Sequence, residues 1–430
     1  MPEQQQTLTI QQAIDLALQH HNAGRLPEAE NFYQQILQTN PDQPVALHLL
    51  GVIAHQVGKN DTAVDLIARA LALNPELAEA HSNLGLALQG LGKSEDAIAS
   101  YRKALALKPD YAEAHNNLGN ALRELGKPDH AVASYHKALG LKPDLAEAHN
   151  NLGLALQDLG KSEDAIASYR EALALNPDYP EAHNNLGNAL QKLGKLEEAV
   201  ASYRKALAIQ PDYAEAHNNL GNALRELGKL DDAAASYRKA FAIKPNYAEA
   251  YNNLGNALLN LGKLEDAIVS YQQAVTIKPD YAEAYLNIGF ALQNLGKIDD
   301  AVASYRTALG IRPDYAEAHF NLGIALRYLG KLTGAVDSYH KAIAVKPDFV
   351  EAHTNLGVTL QELGKFDGAV ASYRSALAIK SDSAELHANL GNALAQLGHP
   401  GEAAISYQEA LVINPDYAEV QNLGADALIF

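Results

Sequence analysis

Residues 112–145, AEAHNNLGNALRELGKPDHAVASYHKALGLKPDL, read as two short helices and a turn. In the first half Ala114, Leu118, Ala121, Leu122 and Leu125 recur three and four residues apart, which aligns them in one apolar stripe. Asp110 and Glu113 give that helix an acidic start resembling a capping box. Gly126-Lys127 ends it, because glycine accepts the left-handed conformation of a helix C-cap. The second half carries Ala131, Tyr135, Ala138 and Leu139, and Pro143 stops it.

The same pattern continues in both directions. Prolines stand at 41, 75, 109, 143, 177, 211, 245, 279, 313 and 347, each 34 residues after the last. Ser381 interrupts the series and Pro415 resumes it. Units therefore begin at 10, 44, 78, 112, 146, 180, 214, 248, 282, 316, 350 and 384. This gives a tail at 1–9, twelve tandem repeats over 10–417, and a partial thirteenth repeat or capping helix at 418–430. Length alone would suggest two or three globular domains, but a fixed period takes precedence, since stacked repeats bury their stripes on their neighbours. No segment alternates like a strand, so the predicted fold is all-α.

Composition narrows the chemistry. The chain has no cysteine, which excludes disulfides, thiolate metal sites and cysteine nucleophiles. Its first residues, MPEQQQTLTIQQ, lack the basic flank and apolar run of a signal peptide. No stretch approaches the roughly 18 uninterrupted apolar residues of a membrane span, and the expectation is a soluble cytoplasmic protein. A formal charge of −17 argues against nucleic acid and anionic membranes, and favours basic or neutral partners.

Gly119 sits in mid-helix, where glycine costs about 1 kcal/mol against alanine. It recurs from Gly51 to Gly391, which implies close helix approach, with Ala131 and Ala138 as the expected small residues opposite. At this point the chain resembles tetratricopeptide repeat (TPR) proteins. Their pattern of an aromatic-like residue, Leu-Gly, Ala, aromatic, Ala and Pro is matched by His115, Leu118-Gly119, Ala131, Tyr135, Ala138 and Pro143. The resemblance covers residues 10–417 and implies a right-handed superhelical solenoid of helix-turn-helix repeats whose first helices line a concave groove. The first repeat departs from the pattern, with Ala17 for the glycine and Ile36 for an alanine, as suits a terminal unit.

Comparing units separates persistent residues from passive ones. In the first helix the fifth residue drifts through Ser82, Asn116, Leu286, Phe320, Thr354 and Ala388, and the ninth drifts as well. The sixth is constant: Asn83, Asn117, Asn151, Asn185, Asn219, Asn253, Asn287, Asn321, Asn355 and Asn389. Asparagine is a mediocre helix former, so propensity does not explain the series. An amide pairs with both the N–H and the C=O of an extended peptide. First helices about 10 Å apart and a strand rise of about 3.3 Å match one amide to roughly every third ligand residue. The series resembles the asparagine ladder in the TPR region of O-GlcNAc transferases, which implies peptide-backbone binding with the amides free of internal partners. Hydrogen bonding between neighbouring helices is the competing reading. The TPR clamp for terminal carboxylates is not matched, since the second residue here is glutamate and the fifth is never basic.

Of the 21 tyrosines, only Tyr328 falls outside the recurring positions. With Phe320 and Ile324 on its own helix, and Leu286, Phe290 and Val358 on adjacent ones, it defines an expected apolar groove patch, or else extra packing. Eight of the sixteen histidines occupy the fourth position, where the family places a packing residue. His21, His48 and His55 lack the spacing of a metal site, and no phosphate loop, nucleophile elbow or carboxylate pair stands out. The expectation is a non-enzymatic scaffold without metal or cofactor that binds extended protein segments. Two alternatives remain: the substrate-recruiting region of a larger O-GlcNAc-type glycosyltransferase, and a solenoid that self-associates through its ends.

Overall fold

The computed structural model describes residues 9–417. Among these residues the secondary structure is helical throughout, with hairpins whose first helices begin at Ile10, Pro44, Ala78, Ala112, Ala146, Pro180, Ala214, Ala248, Ala282, Ala316, Val350 and Ala384. A representative hairpin pairs the 13-residue helix Ala112–Glu124 with the 14-residue helix Pro128–Leu141. Between them Gly126 has a φ of 68°, the left-handed value that favours glycine. The expected partial repeat at 418–430 lies outside the described residues.

The hairpins fall into two compact units, Met1–Asp212 and Tyr213–Phe430. Within each unit every hairpin packs on the next, and each first helix also touches the first helix of the following hairpin. Each unit is thus an α-solenoid with one continuous face built by first helices. No described helix is long and apolar enough to cross a membrane.

The recurring tyrosine of the second helix, replaced by Ile67 in the hairpin that begins at Pro44, is the centre of each hairpin. Tyr135, Tyr169, Tyr203, Tyr237 and Tyr271 are completely buried. The mid-helix glycine meets this ring: a Cβ on Gly119 would lie 2.5 Å from Cε1 of Tyr135. The close approach expected at the glycine is made first of all to the tyrosine ring, nearer than Ala131 or Ala138. Both alanines are fully buried, but the tyrosine is what requires a hydrogen at position 119.

Burial also drives the tyrosine hydroxyls to find partners and pushes their pKa up. Where the ninth residue of the first helix is asparagine, the hydroxyl donates to it, as from Tyr135 to Asn120 at 2.7 Å and from Tyr271 to Asn256 at 2.8 Å. Where the ninth residue is apolar and the twelfth is glutamine, the hydroxyl turns to that glutamine, as from Tyr305 to Gln293 and Tyr373 to Gln361, whereas beside Ile324 the twelfth residue is Arg327 and Tyr339 finds no such glutamine. Where either amide is present, drift at the ninth position is therefore an exchange between two solutions of one buried requirement.

The capping-box reading of the acidic helix start is corrected. The helix Ala112–Glu124 has Tyr111 at its N-cap and no side-chain capping bond. Glu113 instead pairs with Lys142 at 3.1 Å, as Glu79 does with Lys108 and Glu215 with Lys244. The Glu113 carboxylate pKa is lowered first by its own backbone N–H at the helix start and then by Lys142, so the helix start and the lysine hold it together.

Candidate peptide-binding face

The sixth-position asparagines lie on the first-helix face, half-buried, and many of their amides are engaged. The Nδ2 group donates to the fifth-position amide oxygen of the preceding repeat: Asn151 to Asn116, Asn185 to Asn150, Asn253 to Asn218 and Asn287 to Asn252, all at 3.1 Å. Asn287 also reaches Asn256 at 3.2 Å. Asn219 is likewise partnered. The expectation of amides free of internal partners is overturned at these positions. The cause lies one residue earlier in the chain. Asn116, Asn150, Asn218 and Asn252 are at most 4% exposed, and a buried amide oxygen needs a donor. Their own N–H groups donate to Glu147 from Asn116 and to Glu249 from Asn218.

The rung uses one N–H of each sixth-position amide. The Oδ1 atoms of Asn185, Asn253 and Asn287 have no partner among the described residues, on a face that solvent reaches. At the start of the series the acceptor is different: His48 stands at the fifth position and takes the Asn83 amide on Nε2 at 2.9 Å. Burial lowers the His48 pKa to about 4, against a smaller opposing effect of Glu79. Further along, Leu286, Phe320 and Thr354 replace the amide acceptor. Asn355 then turns back to its own helix and donates to the Glu351 carbonyl. Asn117, Asn321 and Asn389 are half-buried on the same face.

Where the rungs stop, the face becomes apolar. Phe290 is 41% exposed and Tyr328 73% exposed, while Leu286, Phe320, Ile324 and Val358 are half-buried against one core cluster. The Phe320 ring lies 4.8 Å from that of Phe349, centroid to centroid, which holds it partly inward. Beside Tyr328 a cavity of about 450 Å³ is lined by Ile324, Arg327, Asn355 and Glu362. Glu362 accepts from Arg327 Nε at 2.9 Å and raises the arginine pKa.

The histidines are occupied structurally. His81, His115, His183 and His319 place Nε2 about 3.0 Å from the carbonyls of Pro75, Pro109, Pro177 and Pro313, so this nitrogen carries the proton. His21 bonds Gln56 and His55 bonds Asn60. Sequence reasoning missed the fifth position's role as the acceptor of the rung. Its signal was available: an amide precedes the constant asparagine in five consecutive repeats, from Asn116 to Asn252, and is lost where the apolar residues begin.

Models described as TPR repeat match the chain in overlapping segments from residue 91 to 398, and tetratricopeptide repeat models match 21–87 and 384–417. The chain belongs to the tetratricopeptide repeat family. No curated relative matches this TPR chain. Among solved TPR structures it is similar to the Cut9-Hcn1 hetero-tetramer of the APC/C at 15% identity, covering 98% of this chain and 97% of that one, with a TM-score of 0.48. It is similar to yeast Tom70 at 17% identity, covering 98% and 95%, with a TM-score of 0.43. YrrB, described as a TPR protein with an unusual peptide-binding site, is 26% identical over 44% of this chain and 96% of its own, with a TM-score of 0.37.

Proposed function

We propose that this TPR protein is a scaffold that binds extended segments of other proteins along its first-helix face. One observation carries the reading in each unit by itself: the half-buried amides of Asn185 in the first and of Asn253 and Asn287 in the second are held by the preceding repeat while Oδ1 has no partner among the described residues. An acceptor fixed in place before binding loses little side-chain entropy on meeting a peptide N–H. Rungs one repeat apart then read backbone, which every sequence possesses. Selectivity falls to the apolar region, where Phe290 and Tyr328 offer side chains to a ligand. A buried ligand leucine or phenylalanine contributes about 1.5–3 kcal/mol there. The same face would suit substrate recruitment for a glycosyltransferase, a reading that rests on the ladder's resemblance alone.

The test is a panel of unstructured 12-residue peptides titrated into the chain with asparagine side chains selectively labelled for NMR. Binders should shift the side-chain amide signals of Asn185, Asn253 and Asn287. Shifts confined to second helices would refute the proposal.

A further inference from the structure

Nearly every glycine of the array has a visible reason. Those in the hairpin turns have positive φ, and those in mid first helix meet a buried tyrosine or isoleucine. Gly401, in the first turn of the helix Pro400–Ile413, has neither, and the same holds for Gly140 and Gly310. The latter two lie in the last turns of the helices Pro128–Leu141 and Ile298–Ile311, without positive φ, and an added Cβ would meet nothing within 4 Å. Glycine is a poor helix residue, and alanine fills the equivalent place at Ala106, Ala174, Ala208 and Ala344.

Gly140 and Gly310 each line a groove between consecutive second helices. The Gly140 groove has a volume of about 700 Å³ and the Gly310 groove about 720 Å³. An equivalent groove with Ala174 and Ala208 in those places has about 580 Å³. Leu141 at 45% and Val345 at 42% exposure leave apolar surface at the two larger ones, somewhat more than Ile209 at 37% in the alanine groove. Their charges differ too. Arg102 and Lys137 flank the Gly140 groove, Arg306 and Lys341 flank the Gly310 groove, and none of the four forms an ion pair among the described residues. In the alanine groove Arg170 is already paired with Glu198. Lys205 of the alanine groove is also without an ion pair among the described residues, so what coincides with glycine is the larger volume together with an unpaired arginine.

We propose that each glycine groove is a docking site for an acidic amphipathic helix of another protein. One aliphatic side chain of that helix seats over the glycine, and carboxylates beside it pair with the flanking arginine and lysine. The walls are two helices with alanine on one and glycine on the other, which lets a third helix backbone come close. Unpaired cations on a chain of charge −17 select carboxylates on the partner. Asp337 lines the Gly310 groove, so the Gly140 groove is the tighter site.

The experiment uses the full chain and a fluorescein-labelled, helix-favouring 16-residue peptide with one leucine flanked a turn away by glutamates. A control peptide carries lysine for each glutamate. Anisotropy at low salt should show saturable binding of the acidic peptide alone. Gly140→Leu with Gly310→Leu should weaken it at least tenfold, since leucine fills the grooves while favouring helix. Arg102→Glu with Lys137→Glu should also weaken it, which keeps the test open if the leucine variant folds poorly. Phe290→Ala should leave this affinity unchanged, separating the second-helix site from the first-helix face. No saturable binding, or equal binding by the glycine variants, would overturn the proposal. So would sedimentation showing that the parent self-associates and the groove variants do not, because a second copy would then be the occupant.

Discussion

Gly153 and Gly140 are both helical glycines, and alanine should act on them in opposite directions. At Gly153 a Cβ would lie 2.5 Å from Cε1 of Tyr169, with Cδ1 and Cζ both at 2.8 Å. To restore an ordinary contact near 3.4 Å the ring would retreat by about 0.9 Å. It has nowhere to go: Tyr169 is completely buried and its hydroxyl is bound to Gln157. Forced overpacking costs about 1–3 kcal/mol, and three ring atoms under 3.0 Å argue for the upper end. The gain in helix propensity returns about 1 kcal/mol, leaving a net loss of about 2 kcal/mol. At Gly140 nothing opposes the Cβ, so only the gain of about 1 kcal/mol remains. Guanidinium unfolding should rank the midpoints Gly140→Ala, parent, Gly153→Ala, from highest to lowest. A double variant, Gly153→Ala with Tyr169→Leu, should lose less than the sum of its parts, because the smaller side chain relieves the clash. A Gly153→Ala midpoint at or above the parent, or strict additivity, would refute the steric account.

Three further outcomes are expected. Asn150→Leu removes the acceptor of the Asn185 amide and should cost on the order of 1 kcal/mol, seen as faster hydrogen exchange in the helices 146–158 and 180–192; unchanged exchange would mean the rung contributes nothing. His48 has a folded-state pKa of about 4 against 6.5, so the unfolded chain takes up the proton first on acidification. Stability of the repeats around it should therefore fall between pH 6.5 and 4 by up to about 1.4 kcal/mol per pH unit, with no dependence on this group above 6.5, and His48→Asn should abolish that slope in hydrogen exchange at the helix 44–56. Phe290→Ala with Tyr328→Ala should leave the thermal midpoint nearly unchanged and weaken an extended peptide ligand at least tenfold by calorimetry; a large drop in midpoint with unaltered affinity would make the patch packing only.

The fold was legible because its determinants are local and recur in phase. Pro143 and Gly126 end helices by backbone geometry, and Tyr135 marks the buried stripe of the second helix, so one repeat suffices to read the rest. Partners distant in sequence were not legible. Glu113 looked like a capping residue only, because Lys142, which shares in holding it, lies 29 positions away. Asn185 looked free because Asn150, which binds it, lies in the preceding repeat. The fifth position was set aside as variable, although its change from Asn252 to Leu286 and Phe320 is what divides the amide rungs from the apolar region. Exposure of Phe290 and Tyr328 depends on the packing of three neighbouring first helices, which spacing within one helix does not contain.

The rungs that join residue pairs 35 apart also determine how the molecule bears load. Tension along the chain falls on one hairpin junction at a time, because each hairpin is fastened mainly to the ones before and after it. Such a junction yields without loosening distant ones, and each event releases one period of chain, on the order of 110 Å when extended. Stretched between two anchors, each unit would lengthen in equal steps and recover them one at a time. A ligand spanning several rungs would fasten consecutive junctions together, turning a row of independent links into a single stiffer strut.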